Sequence, residues 1–116
     1  IADVPCSGLG VIRKKPDIRY KSLAQTEHLP EIQLAILRQQ AHYVKPGGVL
    51  LYSTCTILKR ENENVVQAFL RDEPQFFAET VHFPQNSGIP DGAMTTLLPC
   101  THGTDGFFIC KLRRKP

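Results

Sequence analysis

Gly47-Gly48-Val49-Leu50-Leu51-Tyr52-Ser53-Thr54-Cys55-Thr56 is the stretch that decides the fold of this chain. A glycine turn feeds a continuous apolar run, which then breaks into hydroxyl groups around one cysteine. That is the pattern of a buried parallel strand ending at a reaction site. In open α/β sheets, ligands and catalytic groups collect outside the carboxyl ends of the strands, where loops re-enter helices. Cys55 stands at such an end.

Upstream, Ile1 to Val4 reads as a strand stopped by Pro5, which cannot donate to a ladder. Cys6-Ser7-Gly8-Leu9-Gly10 is then a tight loop, so Asp3, Cys6 and Cys55 fall at the ends of two strands able to lie side by side. Because the chain opens within a strand, it is read as a piece of a longer protein. Val11 to Gln25 carries Arg13, Lys14, Lys15, Arg19 and Lys21 around Pro16. It is expected to be an irregular or short helical connection, its basic surface either solvated or turned towards phosphates.

A helix is predicted from Thr26 or Glu27, with Pro30 in its first turn and an apolar stripe of Ile32, Ile36, Tyr43 and Leu37, Ala41, Val44. Lys45-Pro46-Gly47-Gly48 stops it. His28 and His42 read as surface or packing histidines. After the Cys55 strand, Ile57 to Arg60 is a short loop. Glu61, Asn62, Glu63 and Asn64 open a second helix, where carboxylates suit the positive end of the macrodipole. Val65, Val66, Phe69 and Leu70 form its buried face, and Asp72-Glu73-Pro74 ends it.

Phe76 to Phe83 is predicted as a strand, Pro84 to Met94 as a long loop and Thr95 to Leu98 as a short strand or bridge. Gly103-Thr104-Asp105-Gly106 turns into a final strand, Phe107 to Leu112, followed by Arg113-Arg114-Lys115. Two crossover units plus a terminal antiparallel strand pair make an α/β fold, half of a doubly wound sheet.

The totals are consistent with this. At 116 residues and 41% hydrophobic content, the chain has the size of one small domain. A net charge of +3 is compatible with an anionic partner but far below a dedicated polycation. No apolar run approaches the ~18 residues of a membrane span, and no signal-peptide order opens the chain, so a soluble, cytoplasmic protein is expected. Cys6, Cys55, Cys100 and Cys110 lack the paired short spacing of structural zinc sites, so no metal is expected. Thiols at strand ends beside proline or threonine suit reactive groups in a reducing compartment better than disulfides.

Asp3-Val4-Pro5-Cys6-Ser7-Gly8 and Tyr52-Ser53-Thr54-Cys55-Thr56 together resemble the two signature segments of the Sun (Fmu) family of RNA cytosine-5 methyltransferases. Gly10-Val11-Ile12-Arg13, Lys15-Pro16-Asp17-Ile18, Glu61-Asn62-Glu63 and Gly103-Thr104-Asp105-Gly106-Phe107-Phe108 are similar to further segments of that family, in its order. The resemblance covers nearly the whole chain, is weakest between Phe76 and Met94, and is strongest to the bacterial enzymes acting on small-subunit ribosomal RNA.

This resemblance implies the Rossmann-like S-adenosylmethionine methyltransferase fold, of which residues 1–116 would be the C-terminal half of the catalytic domain. The cofactor's Gly-rich loop and an N-terminal RNA-binding region would lie elsewhere, and this stretch alone would be inactive. It implies that Cys55 is the nucleophile, that Cys6 is a second thiol assisting product release, and that Asp3 lines the pocket for S-adenosyl-L-methionine and the target base. The implied partner is RNA, small-subunit rRNA in particular, with no membrane and no metal involved.

Alternatives stay open at this point. In DNA cytosine methyltransferases the nucleophile is the cysteine of a Pro-Cys pair, here Cys6. A non-enzymatic RNA-binding module would use the basic segments but needs no paired thiols. A thiol hydrolase would need a histidine beside Cys55, and His102 is the candidate. If both thiols converge on one pocket, oxidation could join Cys6 to Cys55. The oligomeric state is not specified by any of these residues.

Overall fold

A computed structural model describes all of residues 1–116. Strand β1 (Ala2–Asp3) is followed by 3-10 turns at Pro16–Tyr20 and Leu23–Thr26, then by helix α1 (Leu29–Ala41) and strand β2 (Val49–Thr54). Helix α2 (Glu63–Asp72), strands β3 (Phe76–Glu79) and β4 (Met94–Leu97), a helical turn α3 (Pro99–His102) and strand β5 (Phe107–Arg114) complete the chain. No helix is long and apolar enough to cross a membrane.

The sheet runs β1-β2-β5-β3, with β4 also paired to β5. β1 and β2 are parallel, joined by the α1 crossover, with Ala2 opposite Tyr52 and Asp3 opposite Ser53. All pairings of β5 are antiparallel. The second crossover therefore does not deliver β3 beside β2, because β5 lies between them. β3 and β4 follow one another along β5, opposite residues 111–114 and 107–110. They behave as one edge strand interrupted by the excursion that the Val81–Gly92 bridge closes.

The core lies on one face of the sheet. Leu50, Tyr52 and Thr54 of β2 stand opposite Leu112, Cys110 and Phe108 of β5, and all six are buried. Val65, Val66 and Phe69 of α2 and Leu37 and Ala41 of α1 cover them. The tilted Phe69–Phe76 pair, with ring centroids 5.3 Å apart, closes the far side. The alternate residues Val49, Leu51, Ser53 and Phe107, Ile109, Lys111 are half-buried or exposed. Principal extents of 44 × 37 × 18 Å fit a single layer of helices on a sheet.

Several boundaries and faces differ from the sequence expectation. α1 begins at Leu29 rather than Thr26 or Glu27, because Ser22 to Glu27 is organised as a 3-10 turn, with the Ser22 hydroxyl accepting from the Ala24 amide. Its buried positions are Gln33, Leu37 and Ala41, whereas Ile32 is 40% and Tyr43 81% exposed. Tyr43 lies beyond the helix end, so the helical period no longer governs it. The predicted strand over 76–83 is Phe76–Glu79 only. β5 extends to Arg114, since Arg113 and Arg114 find ladder partners in Phe77 and Phe76. α2 begins at Glu63: Glu61 and Asn62 precede it, both fully buried, so Glu61 does not serve as an exposed charge at the helix start.

Candidate active site

The parallel pairing of β1 with β2 brings the two thiol loops to the same end of the sheet. The ladder continues one step past β1, with the Val4 amide donating to the Ser53 carbonyl at 3.3 Å. Beyond it the chains diverge into Pro5-Cys6-Ser7 and Cys55-Thr56, and the sulfurs of Cys6 and Cys55 lie 3.2 Å apart, both half-buried. Burial, reinforced by the contact with Cys55, pushes the Cys6 thiol up to about 12. The other two thiols lie elsewhere: Cys110 is buried in the core, which also pushes it up to about 12, and Cys100 is exposed on α3.

Asp3 is exposed at the end of β1 and accepts a hydrogen bond from the Ser53 hydroxyl at 3.1 Å. The structure thus brings Cys6 and Cys55 into contact, and sets Asp3 at the end of the neighbouring strand, where its carboxylate engages Ser53.

Sequence reasoning missed the groups that hold this arrangement. Glu61 turns inward and accepts from the Ser7 amide (2.8 Å), the Ser7 hydroxyl (2.7 Å), the Gln33 side-chain amide (3.0 Å) and the Thr56 hydroxyl (3.3 Å). Gln33 also donates to the Pro5 carbonyl at 2.9 Å. Asn62 accepts from the Thr54 hydroxyl at 2.6 Å and donates to the Thr56 carbonyl at 2.9 Å, bracketing Cys55. One signal was available: Gln33 is a polar residue on the same helical face as Leu37 and Ala41, where a buried side chain needs partners.

A second missed element comes from the far end of the chain. The Gly10 amide donates to the Cys55 carbonyl at 2.9 Å, and the Gly106 amide donates to the Gly10 carbonyl at 2.7 Å. A Cβ on Gly10 would lie 1.9 Å from the Gly106 carbonyl oxygen, so only glycine permits this crossing. Beside it, Asp105 takes Arg13 at 3.3 Å and Lys14 at 2.5 Å. The hydrogen bond and charge of Lys14, with Arg13 adding to them, hold the Asp105 carboxyl below the usual carboxylate range. Two cations of the basic segment are therefore paired with Asp105 although, like Lys15, Arg19 and Lys21, they remain exposed.

His102 is not beside Cys55; its Nδ1 accepts from the Leu98 amide at 3.0 Å. The cavity between α1 and α2, about 310 Å³ and lined by Leu34, Arg60, Val65 and Ala68 among others, contains neither thiol. The sulfurs lie instead at the open end of the sheet. No group of three or more His, Cys, Asp or Glu residues is arranged to hold a metal ion.

Comparison with known proteins identifies the family. The family described as 16S rRNA methyltransferase RsmB/F matches residues 1–113. The chain is 46% identical to the probable ribosomal RNA small subunit methyltransferase B of Bacillus subtilis, over 99% of this chain and 27% of that protein. It is 38% identical to ribosomal RNA small subunit methyltransferase B of Thermus thermophilus, over 98% of this chain and 28% of that protein. The chain thus spans about a quarter of the length of these relatives. Among solved structures, NSun6 from Pyrococcus horikoshii, determined with the S-adenosylmethionine analogue SFG, superposes with a TM-score of 0.79 at 34% identity, over 98% of this chain and 29% of that one. With the thiols paired at the strand ends of a Rossmann-like sheet and the match running through both loops, the chain belongs to the RsmB/F, or Sun, family of S-adenosylmethionine-dependent methyltransferases.

Proposed function

We propose that residues 1–116 form the C-terminal part of the catalytic domain of an RNA cytosine-5 methyltransferase acting on small-subunit rRNA, with Cys55 as nucleophile and Cys6 as the second thiol. The observation that carries this reading is the convergence of the two sulfurs to 3.2 Å at the ends of adjacent parallel strands. The share of the relatives' length that the chain covers and the unpaired outer edge of β1 in the sheet order both support its being part of a larger sheet.

The chemistry requires one nucleophilic thiol and gives a second one a use. Carbon 5 of cytosine is a poor nucleophile. Addition of the Cys55 thiolate to carbon 6 gives carbon 5 enamine character, and covalent catalysis divides one difficult step into two. S-adenosyl-L-methionine supplies the methyl group when bound. Afterwards a base takes the proton on carbon 5, the carbon–sulfur bond breaks and the electron pair returns to Cys55 as thiolate, to which the neighbouring Cys6 thiol can donate a hydrogen bond that assists its departure. Cys6, pushed up to about 12 by burial and by the contact with Cys55, is poorly suited to attack as a thiolate. The exposed Asp3 carboxylate suits the polar edge of the base or an amino group of the cofactor. The target base must be unstacked to reach the sulfurs.

The residues present fit only one side of the cofactor. Gly8-Leu9-Gly10 is no cradle for it, because Gly8 backs onto Ile18 and Gly10 is closed by Gly106 and Cys55. Asp3 would meet the cofactor, the rest of its site would come from outside this chain, and these residues alone are not expected to methylate. The test is covalent trapping on substrate RNA in the protein carrying this chain. Cys6→Ala should accumulate the protein–RNA adduct and Cys55→Ala should form none; adducts lost only in Cys6→Ala would reverse the assignment.

A further inference from the structure

We propose that Glu61 is a positioning residue that holds the Cys6 turn against Cys55 and so governs the release step; this rests on the two-thiol reading above. Every contact of the Glu61 carboxylate is with a donor, and its side chain is fully buried. The chain's ion pairs do not include it. A buried carboxylate without a cation is a poor device for stability, since an apolar residue of similar volume avoids its desolvation. What it supplies here is geometry.

Three of the four donors belong to the Cys6 side. The amide and hydroxyl of Ser7 bind it directly, and Gln33 links it to the carbonyl of Pro5, so both neighbours of Cys6 are held. The fourth, Thr56, is the residue after Cys55, and its hydroxyl also meets that of Ser7 at 2.8 Å. Glu61 is itself anchored from below by the Tyr52 phenol, which donates to the Glu61 carbonyl at 2.6 Å. Burial, with the nearby Glu61 charge adding to it, pushes the Tyr52 phenol upward, so it remains a donor. Asn62 acts on the other loop, since both of its bonds go to the Cys55 strand end and none to the Cys6 turn.

The two oxygens of Glu61 are not equivalent. Oε1 faces the Ser7 amide and the Gln33 amide, which can only donate. Oε2 faces two hydroxyls, which can turn and accept. A glutamine with its oxygen in the Oε1 position keeps both amide donors and can donate to the two hydroxyls, one of which then donates to the other while one hydroxyl hydrogen loses its acceptor, whereas alanine abandons all of these partners.

The experiment is the adduct assay on the full protein, with turnover measured alongside. Glu61→Ala should lower turnover roughly 10–100-fold, the range expected for misplacing a reacting group by about 1 Å, while the covalent RNA adduct accumulates as in Cys6→Ala. Asn62→Ala should lower adduct formation itself, and Glu61→Gln should restore both readouts towards wild type. Parallel loss of adduct and turnover in Glu61→Ala, or no change in either, would overturn the proposal. If Glu61→Ala does not fold, Ser7→Ala carries the test, since it deletes one hold on the Cys6 turn: adduct should accumulate, and a wild-type level refutes the role. If the wild type forms no adduct, the two-thiol reading fails separately. The Cys6–Cys55 disulfide equilibrium with glutathione then decides. An effective thiol concentration lowered on the order of tenfold in Glu61→Ala but not in Asn62→Ala sustains the positioning role; equal values overturn it.

Discussion

Gly10→Ala isolates the crossing that ties the two ends of the chain to Cys55. The added Cβ would lie 1.9 Å from the Gly106 carbonyl oxygen, 2.6 Å from the Gly106 carbonyl carbon and 2.8 Å from the Cys55 carbonyl oxygen. All three are backbone atoms, so no side-chain rotation relieves the clash. The loops must separate, and the Gly10–Cys55 and Gly106–Gly10 hydrogen bonds go with them. Each bond contributes about 0.5–1.5 kcal/mol net. Forced overpacking costs a further ~1–3 kcal/mol, so the loss of stability should be about 2–6 kcal/mol. Gly47→Ala is the control: Gly47 has φ +74°, but nothing lies within 4 Å of its would-be Cβ, so only left-handed backbone strain of about 1–2 kcal/mol applies. Urea unfolding followed by circular dichroism measures both. A Gly10→Ala cost no larger than that of Gly47→Ala would show that the loops are not closed as described.

Two further outcomes are expected. Hydrogen peroxide should join Cys6 to Cys55 in one intramolecular disulfide, consuming the two thiol hydrogens and one peroxide to give water, while buried Cys110 stays reduced; peptide mapping that finds only Cys100 oxidised would refute the convergence of the pair. Because the folded-state carboxyl of Asp105 is held below its unfolded value, the stability it adds is complete above about pH 4 and is lost as pH falls through the folded value. The gap in unfolding midpoint between wild type and Asp105→Asn should therefore shrink on going from about pH 6 to about pH 2, and a gap independent of pH would rule out Lys14 and Arg13 as its source.

Much of the site was legible because its signals are local. Cys55 could be placed from the apolar run and hydroxyls beside it, and Cys6 from the proline and glycines around it. The closing of Arg13 and Lys14 onto Asp105 was not legible, since a run of charge reads alike whether solvated or paired. Nor was the inward turn of Glu61 and Asn62, which carry the composition of an ordinary exposed helix start. Their burial follows from donors on loops and on a helix face that one-dimensional periodicity does not relate to them.

The sequence by itself determined the succession of strands and helices, the punctuation by glycine and proline, and the placing of two thiols at strand ends, because each depends on a few consecutive side chains. The tertiary structure alone decided that β5 inserts between β2 and β3, that Cys6 meets Cys55 across 49 positions, that Ser7 meets Glu61 across 54 and that Arg13 meets Asp105 across 92. Those contacts exist only once the sheet has assembled. A strand's period specifies which face it buries but not which neighbour it takes, and a buried carboxylate is stable only where distant donors have already been brought to it.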